Sequence, residues 1–156
     1  MNDVRFSSAI HMLVMVSESN EPLPSVRLAE SIGTNASYVR KIASSLQRAG
    51  IIEGRRGSSG YKLVRPASDI TLLDVYEAVC ETKDVAVFDL HQNPNDACIV
   101  GRHIRPVLQH VFSGISQAAA RELASCRLSD CIGELAREIE DSDDAEDLAA
   151  LKGAKL

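Results

Sequence analysis

No apolar run in the 156-residue chain approaches the roughly 18 residues that a membrane-spanning helix needs. The first residues, Met1 to Arg5, also lack the basic-then-apolar layout of an export signal. These two absences lead us to expect a soluble, cytoplasmic protein with no membrane partner. Catalytic signatures are missing as well. There is no nucleophile elbow, no glycine-rich phosphate loop and no paired-histidine helix, so an enzyme is not expected. His11, His91, His103 and His110 show no ligand spacing among themselves, and only His91 with Cys98, across one loop, merits a check. Four cysteines (Cys80, Cys98, Cys126, Cys131) without an export signal are expected to be reduced thiols rather than a disulfide scaffold.

What is present suffices for one core. A hydrophobic content of 45% at this length supports a single compact unit plus an accessory segment. The formal charge of -5 would disfavour nucleic acid if it were evenly spread, because Lys and Arg supply most of the affinity for phosphate. It is not evenly spread. Residues 1–66 hold nine basic and five acidic residues, net +4, which leaves eight basic and seventeen acidic, net -9, beyond them. Such asymmetry marks a nucleic-acid-facing module joined to something else.

The periodicity gives that module a shape. Phe6, Ala9, Ile10, Leu13 and Val14 predict an amphipathic helix over 5–18, which Asn20-Glu21-Pro22 ends. Ser25 is the expected N-cap of a short helix carrying Val26, Leu28, Ala29 and Ile32, with Gly33 as its left-handed stop. After a brief turn, Val39, Ile42, Ala43 and Leu46 form the inner face of a second helix over 36–49, while Ser37, Tyr38, Arg40, Lys41, Ser44 and Arg48 form its outer face. Two short helices joined in this way are what a helix-turn-helix needs for entering the major groove. Ile51-Ile52-Glu53 and Tyr61-Lys62-Leu63-Val64 then read as the strands of a wing, with Arg55-Arg56-Gly57-Ser58-Ser59-Gly60 at its tip. Thr71-Leu72-Leu73-Asp74 has the spacing of a capping box that opens a fourth helix. A loop follows from about 84 to 97, then a long apolar-striped helix over 99–123 in which Pro106 kinks the helix or marks its start, and a final helix over 130–139. The fold class expected is mainly α with a small β-wing: a winged helix-turn-helix domain at 1–80, a sensor loop at 81–98, dimerisation helices at 99–139 and an acidic flexible tail at 140–156.

These residues resemble the Rrf2 family of bacterial transcription regulators. The likeness runs from Arg5-Phe6-Ser7-Ser8-Ala9-Ile10 through Leu28-Ala29-Glu30, Ser37-Tyr38-Val39 and Leu46-Gln47-Arg48-Ala49-Gly50-Ile51-Ile52. It is most specific at Arg56-Gly57-Ser58-Ser59-Gly60-Tyr61-Lys62-Leu63-Val64-Arg65-Pro66 with Ile70-Thr71-Leu72, and continues weakly to about Ile139. The resemblance implies a homodimer clasped through the long helix. Many members bind an iron-sulfur cluster through three close cysteines in the loop before that helix. Here only Cys98 stands between Glu81 and Arg102, which resembles a cluster-free branch that includes thiol sensors, so no cofactor is expected.

The expected DNA contacts are Ser37, Tyr38, Arg40 and Lys41 on the second helix and Arg55, Arg56, Ser58, Ser59 and Tyr61 on the wing. Arg40 can read guanine with both guanidinium nitrogens, and the wing arginines position the protein on phosphates or in the minor groove. Cys98 is either a small buried hydrophobe or a redox-sensing thiol. Its place before the long helix, with Arg102 and His103 one turn on, would lower its pKa, and the resemblance favours sensing. Cys126 and Cys131 are candidate secondary thiols, five residues apart across a bend, while Cys80 reads as core. The expected function is a homodimeric regulator, a repressor, that binds double-stranded DNA at a palindromic operator and is switched by oxidation at Cys98. The alternative is an iron-sulfur, metal or small-ligand-responsive regulator of the same fold, with His or Asp ligands from a partner chain.

Overall fold

A computed structural model describes residues 4–54, 60–142, 144 and 146. Helix α1 (Val4–Glu18) buries Ala9, Met12, Leu13 and Val16, the three- and four-residue spacing of one helical face. Helices α2 (Ser25–Ile32) and α3 (Ala36–Arg48) pack on it through Leu28 and Ala29, and through Val39, Ile42, Ala43 and Leu46. Two antiparallel strands, β1 (Ile52–Gly54) and β2 (Tyr61–Leu63), pair Ile52 with Leu63 and Gly54 with Tyr61. After one 3-10 turn (Ala67–Asp69), α4 (Leu72–Cys80) closes the core with Val75 and Val79. The capping box forms as the sequence predicts: the Asp74 amide donates to Thr71 Oγ1, and the Thr71 amide to Asp74 Oδ2, both at 2.9 Å.

Local boundaries differ where competing chemistry wins. Ser25 is not the cap of α2. Pro24 holds that position with extended backbone, no side chain caps the helix, and Ser25 Oγ instead accepts from Arg40. Gly33 does stop the helix, at φ 74°, with its amide and that of Thr34 both donating to the Ala29 carbonyl. The wing is held against α2 by a short bridge between Leu23 and Tyr61, whose amides and carbonyls exchange bonds of 2.9 and 3.1 Å. Gly60 makes this approach feasible, since a Cβ there would collide with the Leu23 carbonyl.

The long helix α5 (Ile99–Ser125) runs through Pro106 without ending and has no fully buried residue. It packs against α4 alone among the larger element contacts. The last helix, α6 (Leu128–Glu140), begins two residues earlier than the periodicity predicts and does not continue α5 away from the body. It returns to α1 and the 3-10 turn, and Leu128 lies fully in the core. Ile70 and Leu72 fasten this return, through Leu128 N to Ile70 O and Leu72 N to Cys126 O, each 2.9 Å. Helix α6 therefore packs as part of the N-terminal unit. Among the described residues, no helix is long and apolar enough to cross a membrane.

Candidate nucleic-acid interface and thiol site

Helix α3 is seated by its N-cap. Asn35 Oδ1 accepts from the Tyr38 amide at 2.9 Å, satisfying one orphan donor of the first turn. With Val39, Ile42, Ala43 and Leu46 turned inward, Ser37, Arg40, Lys41, Ser44 and Arg48 are left exposed on the outer face. Arg40 is pre-positioned there. Its guanidinium donates to Ser25 Oγ at 3.3 Å and Ser37 Oγ at 3.2 Å, bridging α2 and α3. At the other end, Gln47 Nε2 donates to the Gly54 carbonyl at 3.2 Å and ties α3 to the last residue of β1.

Two expected contact residues also pack on the core. Tyr38 is half-buried against the core, and its hydroxyl is buried without a hydrogen-bond partner among the described residues. Tyr61 likewise packs on the core and builds the Leu23 bridge. Lys62, beside it, is exposed and pairs across the strands with Glu53 at 3.0 Å. Arg55, Arg56, Ser58 and Ser59 lie outside the described residues.

The sequence reading also passed over a link behind α3. Arg48 donates to Glu81, the residue that ends α4 in left-handed backbone at φ 54°. The sequence signal available was the Arg48 position alone; nothing in Glu81-Thr82-Lys83 announces a partner 33 residues earlier.

Cys98 is exposed in the single chain. It occupies the N-cap of α5, in extended backbone, and its carbonyl accepts the first helical bond from Arg102 N at 3.0 Å. Its thiol forms no full capping bond, yet the Gly101 and Val100 amides point at it and hold its pKa below the ordinary thiol value. The cause is not Arg102, whose Nε donates to the Asp96 carbonyl at 3.1 Å. The loop folds tightly here. Asn95 Oδ1 accepts from the Ala97 amide, and a Cβ on Gly101 would strike the Asn95 carbonyl. Cys126 ends α5 and Cys131 lies in α6; burial, then the neighbouring Cys126 and Asp130, push the Cys131 thiol up. Cys80 is half-buried at the core edge, as expected.

A helix-turn-helix with an antiparallel wing, a basic outer helix and a separate long arm defines the winged-helix class of DNA-binding regulators. The model for the family described as "Rrf2: Iron-dependent Transcriptional regulator" matches residues 3–134, and the chain belongs to this family of DNA-binding transcriptional regulators. It is 38% identical over 135 residues to YwnA of Bacillus subtilis strain 168, to which an HTH-type transcriptional-regulator role is ascribed; the match covers 86% of this chain and 99% of YwnA. A crystal structure of a protein ascribed DNA binding is 35% identical, with TM-score 0.66 over 82% of this chain and 98% of that one. CymR, the global cysteine regulator of B. subtilis, shares the fold at 16% identity, with TM-score 0.64 over 86% of this chain and 97% of CymR.

The family description names iron, and the donors of one chain do not fit it. Among the described residues no three of His, Cys, Asp and Glu gather where a metal could be held, and residues 81–98 contribute Cys98 as their one thiol. No step below passes through a metal.

Proposed function

We propose that the chain is a cytoplasmic homodimeric repressor, a regulator rather than an enzyme, that grips a palindromic operator with two copies of α3 and is switched by oxidation of Cys98. Pairing is supported by α5, which leaves Val100 (63% exposed), Val107, Val111 and Ile115 open along its length. An apolar stripe of this extent on a soluble regulator needs a cover, and a second α5 supplies one of matching length. A two-fold dimer sets the recognition helices roughly 34–36 Å apart, one DNA turn. Arg40 and Lys41 then lie at the groove, Arg40 on a base edge and Lys41 on a phosphate beside it, and Arg55, Arg56, Ser58 and Ser59 serve the backbone on either side.

The observation that carries the switch is the thiol of Cys98, exposed and polarised by the first amides of α5. A thiolate there attacks a peroxide: the S–O bond forms, the O–O bond breaks, sulfur loses two electrons, and the products are a sulfenic acid and, after protonation, water or an alcohol. The change alters the loop and the start of α5, and so the spacing of the two recognition helices. Because affinity depends on both half-sites engaging together, a small change in spacing suffices.

The test is an anisotropy titration against DNA upstream of the protein's own gene, at stated salt, with reduced and peroxide-treated protein. Tight reduced binding that is lost on oxidation and restored by dithiothreitol is expected. A Cys98→Ser protein that still loses affinity with peroxide would overturn the reading.

A further inference from the structure

A cavity of about 600 Å³ opens between the first turn of α1, the end of α4 and the loop after it. That volume is in the range of small-molecule sites. Its walls combine an aromatic pair with charge. Phe6 and Tyr76 meet edge to face, with ring centroids 5.4 Å apart and an 82° interplanar angle. Asp84 and Asp89 bring two carboxylates against the single guanidinium of Arg5, so the lining is net negative, and the Cys80 thiol completes one side. The Asp84 carboxylate has no ion pair or hydrogen bond among the described residues; only its backbone is held, by Thr82.

We propose that this cavity binds a small organic cation, an amine carried on an apolar or aromatic body, as an effector distinct from the Cys98 oxidant. The Asp84 carboxylate holds the ammonium group, Phe6 and Tyr76 take the apolar body, and ring faces favour a cation over a neutral or anionic group. A neutral ligand leaves Asp84 unpaired, and a carboxylate ligand meets two like charges.

The position gives binding a consequence. The loop that forms one wall is anchored to both α3 and α5. Glu81 at its start grips Arg48 of the recognition helix, and Phe88 stacks at 5.3 Å, tilted by 49°, on Phe112 of α5. A ligand that fixes residues 82–89 therefore acts on α3 and α5 together.

The experiment uses the full-length protein under reducing conditions, so that the thiol switch is not engaged and the two proposals fail separately. Phenethylamine, phenethyl alcohol and phenylacetate, which share one ring, are titrated while alkylation of Cys80 by iodoacetamide is followed by peptide mass mapping. Binding protects by one plus ligand over Kd, so phenethylamine at about ten times its Kd slows Cys80 alkylation about tenfold. The alcohol and the acid protect little, Asp84→Asn removes the protection by the amine, and the anisotropy midpoint for operator DNA shifts with the amine alone. Equal protection by all three probes, or none by any, overturns the proposal. So does protection that follows protein concentration instead of amine, which would mean that a second copy of the chain fills the cavity. An Asp84→Asn protein that melts like wild type yet is still protected by the amine overturns it as well.

Discussion

Arg48 Nη2 lies 2.6 Å from Glu81 Oε1, joining the last turn of the recognition helix to the residue that ends α4. Both side chains are more than 60% exposed, so the pair adds at most about 1 kcal/mol to stability. Glu81 also holds left-handed backbone, which costs a non-glycine residue roughly 1–2 kcal/mol. Local stability does not account for this arrangement, so transmission between the loop and α3 is what to test. Glu81→Gln is expected to unfold in urea within about 1 kcal/mol of wild type. The ratio of reduced to oxidised DNA affinity shrinks in the same protein, and an unchanged ratio would remove Glu81 from the switch.

Arg40 and Lys41 separate two kinds of contact. Arg40→Ala relaxes preference at one base pair by about 1–3 kcal/mol in a panel of single-base operator variants. Lys41→Ala weakens all sequences alike and lowers the slope of log affinity against log salt by about 1.

The thiols titrate in opposite directions. Cys98 is stabilised as thiolate by the α5 amides, so its alkylation rate rises with pH to a midpoint on the acid side of an ordinary thiol. Cys131, disfavoured as thiolate by burial, has its midpoint on the alkaline side. Mass mapping after brief iodoacetamide pulses at a series of pH values should find Cys98 labelled ahead of Cys131 near neutrality.

Placing a charge on the open face of α5 tests the proposed pairing. Val111 is 48% exposed in the single chain, so Val111→Glu costs the fold little. Sedimentation should show a monomer, with operator affinity lower by about a hundredfold because the half-sites then bind independently.

Leu128 is the corresponding test of α6. Leu128→Ala removes a fully buried side chain and is expected to cost about 2–5 kcal/mol in denaturant unfolding. Leu135→Ala, at a position 39% exposed in the same helix, should cost about 1 kcal/mol or less. Equal losses at the two positions would contradict the packing of α6 on α1.

What could be read from the residues was what depends on short spacing. The helices over 4–18 and 36–48, the left-handed stop at Gly33 and the Thr71–Asp74 box are each decided within a few residues. Ser25 fails as a cap because Arg40, 15 positions on, claims its hydroxyl. Tyr38 packs half-buried against the core although helical phase alone puts it near the outer face. The return of α6 and the Arg48–Glu81 link depend on where distant segments land, and no local period records that. At Cys98 the position on the helix was legible. The turn of Arg102 toward Asp96 was not, so the amides and not the guanidinium account for the shifted thiol.

The bonds from Leu72 to Cys126 and from Leu128 to Ile70 give α5 one built-in end and one free end, the arrangement of a cantilever. At 27 residues its length is about 40 Å. A shift of about 1–2 Å at the tip, the scale of helix movements in switching proteins, corresponds to a tilt of only about 1–3° at the root. Because the root is bonded directly to the unit that carries α3, that tilt is not absorbed along the way. In the proposed dimer it would turn the reading head itself, and two such beams joined along their length would turn their heads in opposite senses.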